Sequence, residues 1–436
     1  MKRFGMASIS ALLLGTPVLA QDSGLNISGQ IDLGYRYYFD DGPFAEQTQS
    51  GSYPFVGFQL NSNFGVGSGE AVFQFYGLND DDNDRSILNI QKAYYTNSFD
   101  SWDVVLGYNI ENWGVSNART IVNVLNARDQ ANQVGNNELI GTPLANANFF
   151  TDIGTFSLYL TDGDVQDNFG GLASRRRGFL ATDDRLTRFE NDDSTDIALR
   201  FSNSYSLGEG SLDIGASYYN GTNRDALLVP GCLPEAGGPT TAACDQFNQA
   251  VLASYSAGAS LVDSALAAGT ASLTALTPFY QEIEQYGLTA VYAAGDTQLL
   301  FEGFVRKASG EEFTGAIIGG DHTFNDFLGG SGTMTVALEY HYDDRSLRQP
   351  LTVFDDDLFF GFNYDVNDPH DSRVEFGMFY DLENASQFYT VAASRRVGDR
   401  TRVALSAHHT KSDDTTDQLT IGDGNSFFEI SLSTFF

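Results

Sequence analysis

From Leu25 onward the chain alternates. Leu25, Ile27, Gly29, Ile31, Leu33, Tyr35, Tyr37 and Phe39 hold one parity, and Asn26, Ser28, Gln30, Asp32, Gly34 and Arg36 hold the other. A period of two sustained over such a length is that of an extended strand with an apolar face and a wet face. The pattern returns with Leu212, Ile214, Ala216 and Tyr218 against Ser211, Asp213, Gly215 and Ser217. It returns again with Met334, Val336, Leu338, Tyr340 and Tyr342 against Thr333, Thr335, Ala337, Glu339 and His341, and with Val374, Phe376, Met378 and Tyr380 against Arg373, Glu375, Gly377 and Phe379. Strands are expected to begin near residues 25, 53, 68, 86, 101, 141, 154, 195, 210, 279, 297, 312, 332, 357, 373, 386, 400 and 426. That makes about eighteen, with sixteen as the alternative count, and even numbers suit bacterial barrels. Short turns such as Phe64-Gly65-Val66-Gly67, Ser206-Leu207-Gly208-Glu209, Ala294-Gly295-Asp296 and Val397-Gly398-Asp399 fall between longer loops rich in Asp, Asn and Ser. The pattern predicts an all-β fold: a closed antiparallel transmembrane β-barrel with short periplasmic turns and long outer loops, in phase along the whole chain. No solenoid-type repeat is visible.

The N-terminus adds a compartment. Lys2 and Arg3 precede an apolar stretch from Met6 to Leu14 and then Thr16-Pro17-Val18-Leu19-Ala20, the charged, apolar and small-residue parts of a secretory signal. Residues 1–20 are therefore expected to be a signal peptide, with 21–436 as one barrel domain. The apolar run is too short for a membrane anchor, and no later window approaches the ~20 apolar residues of a spanning helix. The chain has 34 Phe, 21 Tyr and 45 Gly against 10 Pro, yet its mean hydropathy is a polar -0.21. Alternation between lipid and water produces that combination.

Charge removes one class of partner. A net charge of -33 leaves nucleic acid without an electrostatic footprint to bind. The acids gather between strands, in Asn79-Asp80-Asp81-Asp82-Asn83-Asp84, Asp355-Asp356-Asp357 and Asp413-Asp414. They read as a solvated outer surface, since none has the calcium-loop spacing. The two cysteines, Cys232 and Cys244, flank a Gly/Pro-rich turn, and in an oxidising compartment they are expected to pair.

The last residues, Phe428, Ile430, Leu432, Thr434 and Phe436 against Phe427, Glu429, Ser431, Ser433 and Phe435, make a strand ending in Phe. This ending resembles the recognition signal of Gram-negative outer-membrane barrels, which implies insertion by the outer-membrane assembly machinery with Phe436 as the signal. In architecture, rather than by a sharp motif, residues 21–436 resemble porins. The resemblance implies a loop between strands five and six, here 115–138, that folds into the lumen and sets a constriction, and it places Arg119, Arg128 and Asp129 there by position only. It implies lipid and lipopolysaccharide as surroundings and a homotrimer, a single working barrel being the alternative.

Two other loops break the pattern. Residues 163–193 carry Arg175, Arg176, Arg177, Arg185 and Arg188 in a chain with only 24 Lys and Arg, a group that could attract anionic solutes, bind lipopolysaccharide phosphates or pair with Asp183, Asp184 and Glu190. Residues 226–277 hold the cysteines and then Phe247, Val251, Tyr255, Ala259, Val262 and Leu266 at the spacing of an amphipathic helix, a cap over the lumen or a lid on the rim. Strand parity turns Arg36, Arg200, Glu302, Arg306, Glu339, Arg373, Glu375, Arg402 and Glu429 inward as a charged wall.

The expected function is a porin-like channel through which small hydrophilic solutes diffuse passively, filtered by width and charge, in the outer membrane of a Gram-negative bacterium. A structural or adhesive barrel with a closed lumen is the alternative. An outer-membrane lipase-type enzyme is a further one: Ser406 and His408 share a strand face but stand ~6.6 Å apart along it, too far for direct activation. No nucleophile elbow, metal-binding helix or phosphate loop occurs, so neither catalytic residues nor a cofactor or metal is expected. A plugged receptor would carry a domain before its first strand, and here strands begin a few residues after the signal.

Overall fold

The computed structural model describes residues 24–131, 139–192, 194–234, 238–412 and 425–436. The signal segment 1–20, the ends of two expected loops at Glu138 and Asp193, and the Asp413-Asp414 pair lie outside the described residues. In chain order the strands are β1 (Asn26–Tyr38), β2 (Gly51–Val66), β3 (Gly69–Asn79), β4 (Ile87–Ser98), β5 (Trp102–Asn109), β6 (Thr142–Thr151), β7 (Gly154–Asp162), β8 (Arg188–Phe189), β9 (Thr195–Leu207), β10 (Gly210–Thr222) and β11 (Leu227–Gly231). They continue as β12 (Ala275–Tyr280), β13 (Glu282–Ala294), β14 (Thr297–Ala308), β15 (Glu311–Phe324), β16 (Thr333–Asp343), β17 (Asp356–Asp365), β18 (Arg373–Asp381), β19 (Gln387–Arg396), β20 (Thr401–Lys411) and β21 (Phe427–Phe435).

Eighteen of these form one sheet in which each strand runs antiparallel to its neighbours, and β1 pairs with both β2 and β21. The sheet is thus a closed barrel, as the alternation predicts. Closure matters physically because a lipid environment offers no partner to an open strand edge. At the seam Gly29 and Phe436 exchange both backbone hydrogen bonds at 3.0 Å, so the final residue takes part in closing the ring.

Parity sorts the side chains as expected. Ile27, Leu33, Tyr35 and Tyr37 on β1 and Phe39 just after it, Leu338 and Tyr342 on β16, and Phe428, Ile430 and Leu432 on β21 are exposed on the outer face. Arg36, Glu302, Arg306, Glu339 and His341 are buried inside. At the two-residue hairpins Gly67, Gly208 and Gly295 adopt positive φ, which such a turn demands and glycine meets without strain, and Gly398 does so in the four-residue turn after β19.

Three expectations are corrected. The alternation of loop lengths is not strict: β14 and β15 are joined by Ser309-Gly310 alone, both at positive φ, where a long loop was expected. The amphipathic helix is two helices, α1 (Thr241–Ser256) and α2 (Leu261–Ala268). Phe247, Val251 and Tyr255 are buried under α1, but Gly258 at positive φ breaks the register and leaves Val262 and Leu266 exposed. Within loops there is also a small sheet, β11 antiparallel to β12 and β12 parallel to β8, short pieces whose Pro230 and Pro278 mask them in the sequence. Beside it the Cys232–Cys244 disulfide packs with Phe247 and Val251. Tyr255 ties α1 to the rim, its hydroxyl donating to the Arg348 carbonyl at 2.8 Å.

The outer face supplies a test. Leu338→Arg, at the middle of β16, is expected to cost about 2–4 kcal/mol of folding free energy in lipid vesicles, the penalty of a cation at bilayer mid-depth. Thr335→Arg on the inward parity is expected to cost much less; equal losses in urea titrations of the two would contradict the assignment of faces.

Candidate functional site

Of the loop between β5 and β6, residues 110–131 run inside the barrel. Its anchors are two carboxylates on the far wall, each near the middle of its strand. Glu302 on β14 accepts from the backbone N–H groups of Val115 (2.8 Å), Ser116 (3.3 Å), Ile121 and Val122 (3.0 Å), and from the Thr120 hydroxyl (2.5 Å). Glu339 on β16 accepts from the Asn117 N–H (2.6 Å), the Ser116 hydroxyl (2.7 Å) and His341 Nε2 (3.0 Å). Around the ring β14 is separated from β6 by β7, β9, β10 and β13, so the loop reaches across the interior to be held. A loop of this kind carries unpaired N–H groups; the two buried carboxylates satisfy them with charge-assisted bonds.

Apolar residues of the same loop cover the wall on the way. Trp113, Val122, Val124 and Leu125 pack with Tyr159, Ala198, Tyr219, Ile283, Phe304 and Phe313 of β7, β9, β10, β13, β14 and β15. Gln285 donates to the Val122 carbonyl at 3.0 Å, and Asn126 reaches back to the carbonyls of Asn109 and Ile140 at 3.1 Å each. Gly114 is required by closeness: a Cβ there would lie 1.8 Å from Thr120 Oγ1 and 2.9 Å from Glu302 Oε2.

Toward the long-loop end, cationic groups converge on Asp225. Arg306 lies 3.7 Å from its carboxylate, and Arg119, Arg128 and Arg345 act on it from close by. Burial alone would raise the pKa of Asp225, but Arg306, Arg119, Arg128 and Arg345 hold it down at about 2. Burial, followed by the charge of Arg128 and then those of Arg345 and Arg176, brings Arg119 down to about 10 against the opposing pull of Asp225. Arg345 is clamped to Asp343 at 2.5 and 2.8 Å and donates to the Pro350 carbonyl. Arg119 lies 4.9 Å over the Phe354 ring, whose neighbours Phe379 and Phe388 line the wall.

The expected neck residues separate. Arg119 and Arg128 belong to this cluster. Asp129 is fully buried and turned into the loop packing, accepting from Asn168 Nδ2 at 2.8 Å and the Ala131 N–H at 3.1 Å. The five arginines of residues 163–193 are not brought together. Arg175 donates to the carbonyls of Asp40 and Thr48, Arg177 to those of Leu172, Gly178 and Phe179, and Arg176 to that of Gln130. Arg185 is exposed beside Asp183, and Arg188 lies in β8 opposite Phe279.

Of the expected wall charges, Glu302 and Glu339 face inward but are consumed by the loop. Arg36 pairs with Glu429 at 2.7 Å, Arg200 lies 5.7 Å from the Trp113 ring, Arg373 bridges Asp365 (2.6 Å) and Glu375 (3.6 Å), and Arg402 donates to Ser394 and Asp371. Asp225, Gln285, Asp343 and Arg345 were not singled out from the sequence. All but Gln285 sit at or beyond a strand end, where parity gives no direction. Among the described residues no group of three His, Cys, Asp or Glu is placed to hold a metal.

Two outcomes follow from this geometry. Glu302→Ala is expected to weaken docking of residues 115–122 by about 2–5 kcal/mol, since it strands several donors at once, and Gly114→Ala should do likewise by steric conflict. Amide exchange confined to that segment reads both, and unchanged protection would refute the anchoring role. Asp167, which accepts from the Arg128 N–H at 2.7 Å, is pushed by burial up to about 7. Its neutral form is favoured in the folded loop, so its contribution to loop docking is complete at low pH and is lost as pH rises through about 7. Protection of residues 128–130, corrected for intrinsic exchange, should fall between about pH 4 and 7 and level off above that, and Asp167→Asn should flatten that dependence.

No family model matches this chain, and no curated protein matches it. Solved structures do. A structure of OprB from Pseudomonas putida at high pH shares 9% identity over 97% of this chain and 96% of its own, with a TM-score of 0.46. A mutant of the porin from Rh. blastica shares 13% identity over 94% of this chain and 100% of its own, with a TM-score of 0.41.

Proposed function

We propose that the protein is an outer-membrane channel for passive diffusion of small hydrophilic solutes. The observation that supports this best is the segment 113–125 of the loop after β5, held inside a lipid-facing barrel by Glu302 and Glu339 with charged side chains gathered beside it. A barrel that served only as a wall would not require a chain segment fixed across its interior. In this reading residues 1–20 direct export and are removed, residues 21–436 form one domain, the tight turns face the periplasm and Phe436 serves assembly. Solutes move down their gradient through water, and the neck selects by width and by charge. Lipid and lipopolysaccharide surround the barrel, and the oligomer is a homotrimer. A barrel with a closed interior is the second reading, favoured by the packing of Phe354, Phe379 and Phe388 with Ala118 inside the ring.

Single-channel recording in planar bilayers separates the two. Stable ohmic steps, larger or noisier in Glu302→Ala because the loop is released, are the expected result. A correctly folded barrel without conductance in wild type and variant alike would favour the closed interior.

A further inference from the structure

Resting on the channel reading, we infer that the neck is an oxyanion-binding site, in which Arg119 and Arg128 take the carboxylate or phosphate group of a small multivalent solute. Most cations of the cluster are already engaged: Arg306 with Asp225 and Gln285, Arg345 with Asp343 and Pro350, and Arg176 with the Gln130 carbonyl. Arg119 and Arg128 differ. Among the described residues neither guanidinium has a carboxylate within ion-pair distance or a side-chain hydrogen bond, although Arg119 lies near enough to Arg128, Arg345 and Arg176 to be repelled by each.

Asp225 is shared by four arginines and cannot neutralise them all. Burial first, and then the charge of Arg128, lower the proton affinity of Arg119, and a bound anion would offset both. Geometry fits the ligand class as well. Phe354 supports one face of Arg119 and leaves the edge donors for an acceptor, and the planar guanidinium fork matches carboxylate and phosphate oxygens in a way that a spherical halide does not. A multivalent oxyanion can engage both arginines, so it should bind in preference to chloride. The net charge of -33 does not oppose this, because charges farther away than the ~8 Å screening length at physiological salt are largely damped.

The test uses the full chain in phosphatidylcholine bilayers free of lipopolysaccharide, so that the phosphates of lipopolysaccharide cannot occupy the site and the zwitterionic headgroups carry no net charge to compete for it. Under a KCl gradient the reversal potential should have the anion-selective sign, and citrate or inorganic phosphate on one side should reduce the current saturably. Arg119→Gln and Arg128→Gln should each lower the chloride-over-potassium preference by roughly fivefold, the factor one unit charge makes at about 4 Å in water. The double variant should lose the citrate and phosphate block. Arg119→Lys with Arg128→Lys should keep the chloride preference but weaken the block, and Lys307→Gln, an outward-facing charge change, should alter neither. Potassium preference in wild type, or block that survives the double Gln variant, overturns the site. If no current is seen at all the channel reading fails, and calorimetric titration of citrate into the solubilised wild type and double Gln variant then decides the anion site separately.

Discussion

The buried carboxylate of Glu302 is the constraint on which the interior depends. A loop inside a barrel faces the problem that excludes irregular backbone from membranes generally, namely N–H groups with neither water nor a sheet to bond. One side chain meets that need for five donors between Val115 and Val122, and Glu339 meets it for the turn at Ser116 and Asn117. An acid buried without a cation is costly in isolation, but bonds from several fixed donors offset its lost hydration. The anchoring is therefore mutual: the loop solvates the carboxylates and the carboxylates hold the loop.

Charge in this protein is sorted by depth as well as by face. On the outer surface of the strands Lys307 meets Glu284 and Glu312 close to the strand ends, the inner wall carries mixed pairs such as Arg36 with Glu429, and the arginines gather around Asp225 where the loops descend. Net charge is thus a poor guide to the field around Asp225. The acids are many and distributed, whereas the cations are few and focused, and short-range fields follow local composition.

The wall was legible from the sequence because the period of two is a direct projection of the strand onto residue order. Ile27 and Arg36 declare their faces by parity alone, and the glycines at 67, 208, 295 and 398 mark turns that only positive φ can make. Loop content was not legible in this way. Arg175 and Arg177 form a charge run that looks solvent-facing, yet both are buried: Arg175 on the carbonyls of Asp40 and Thr48, far away in the chain, and Arg177 on carbonyls of its own loop with Glu46 of the distant one beside it. The inward direction of Glu302 was foreseen, but its partners were not, since nothing in the order of residues says which loop it meets. The break between α1 and α2 turned on Gly258, a single residue within an otherwise helical spacing.

The distance along the chain between the loop and its anchors has a consequence for the order of assembly. Val115 is bonded to a residue 187 positions later, and Ser116 to one 223 positions later. A chain made from its N-terminus thus carries this segment long before β14 and β16 exist to receive it. Until then its donors stay with water and its apolar residues, Trp113, Val122, Val124 and Leu125, lack much of the wall that covers them. Narrowing of the interior is accordingly a late event, completed only after most of the ring has formed. Each finished molecule in this way records in its interior that β14 and β16 took their places.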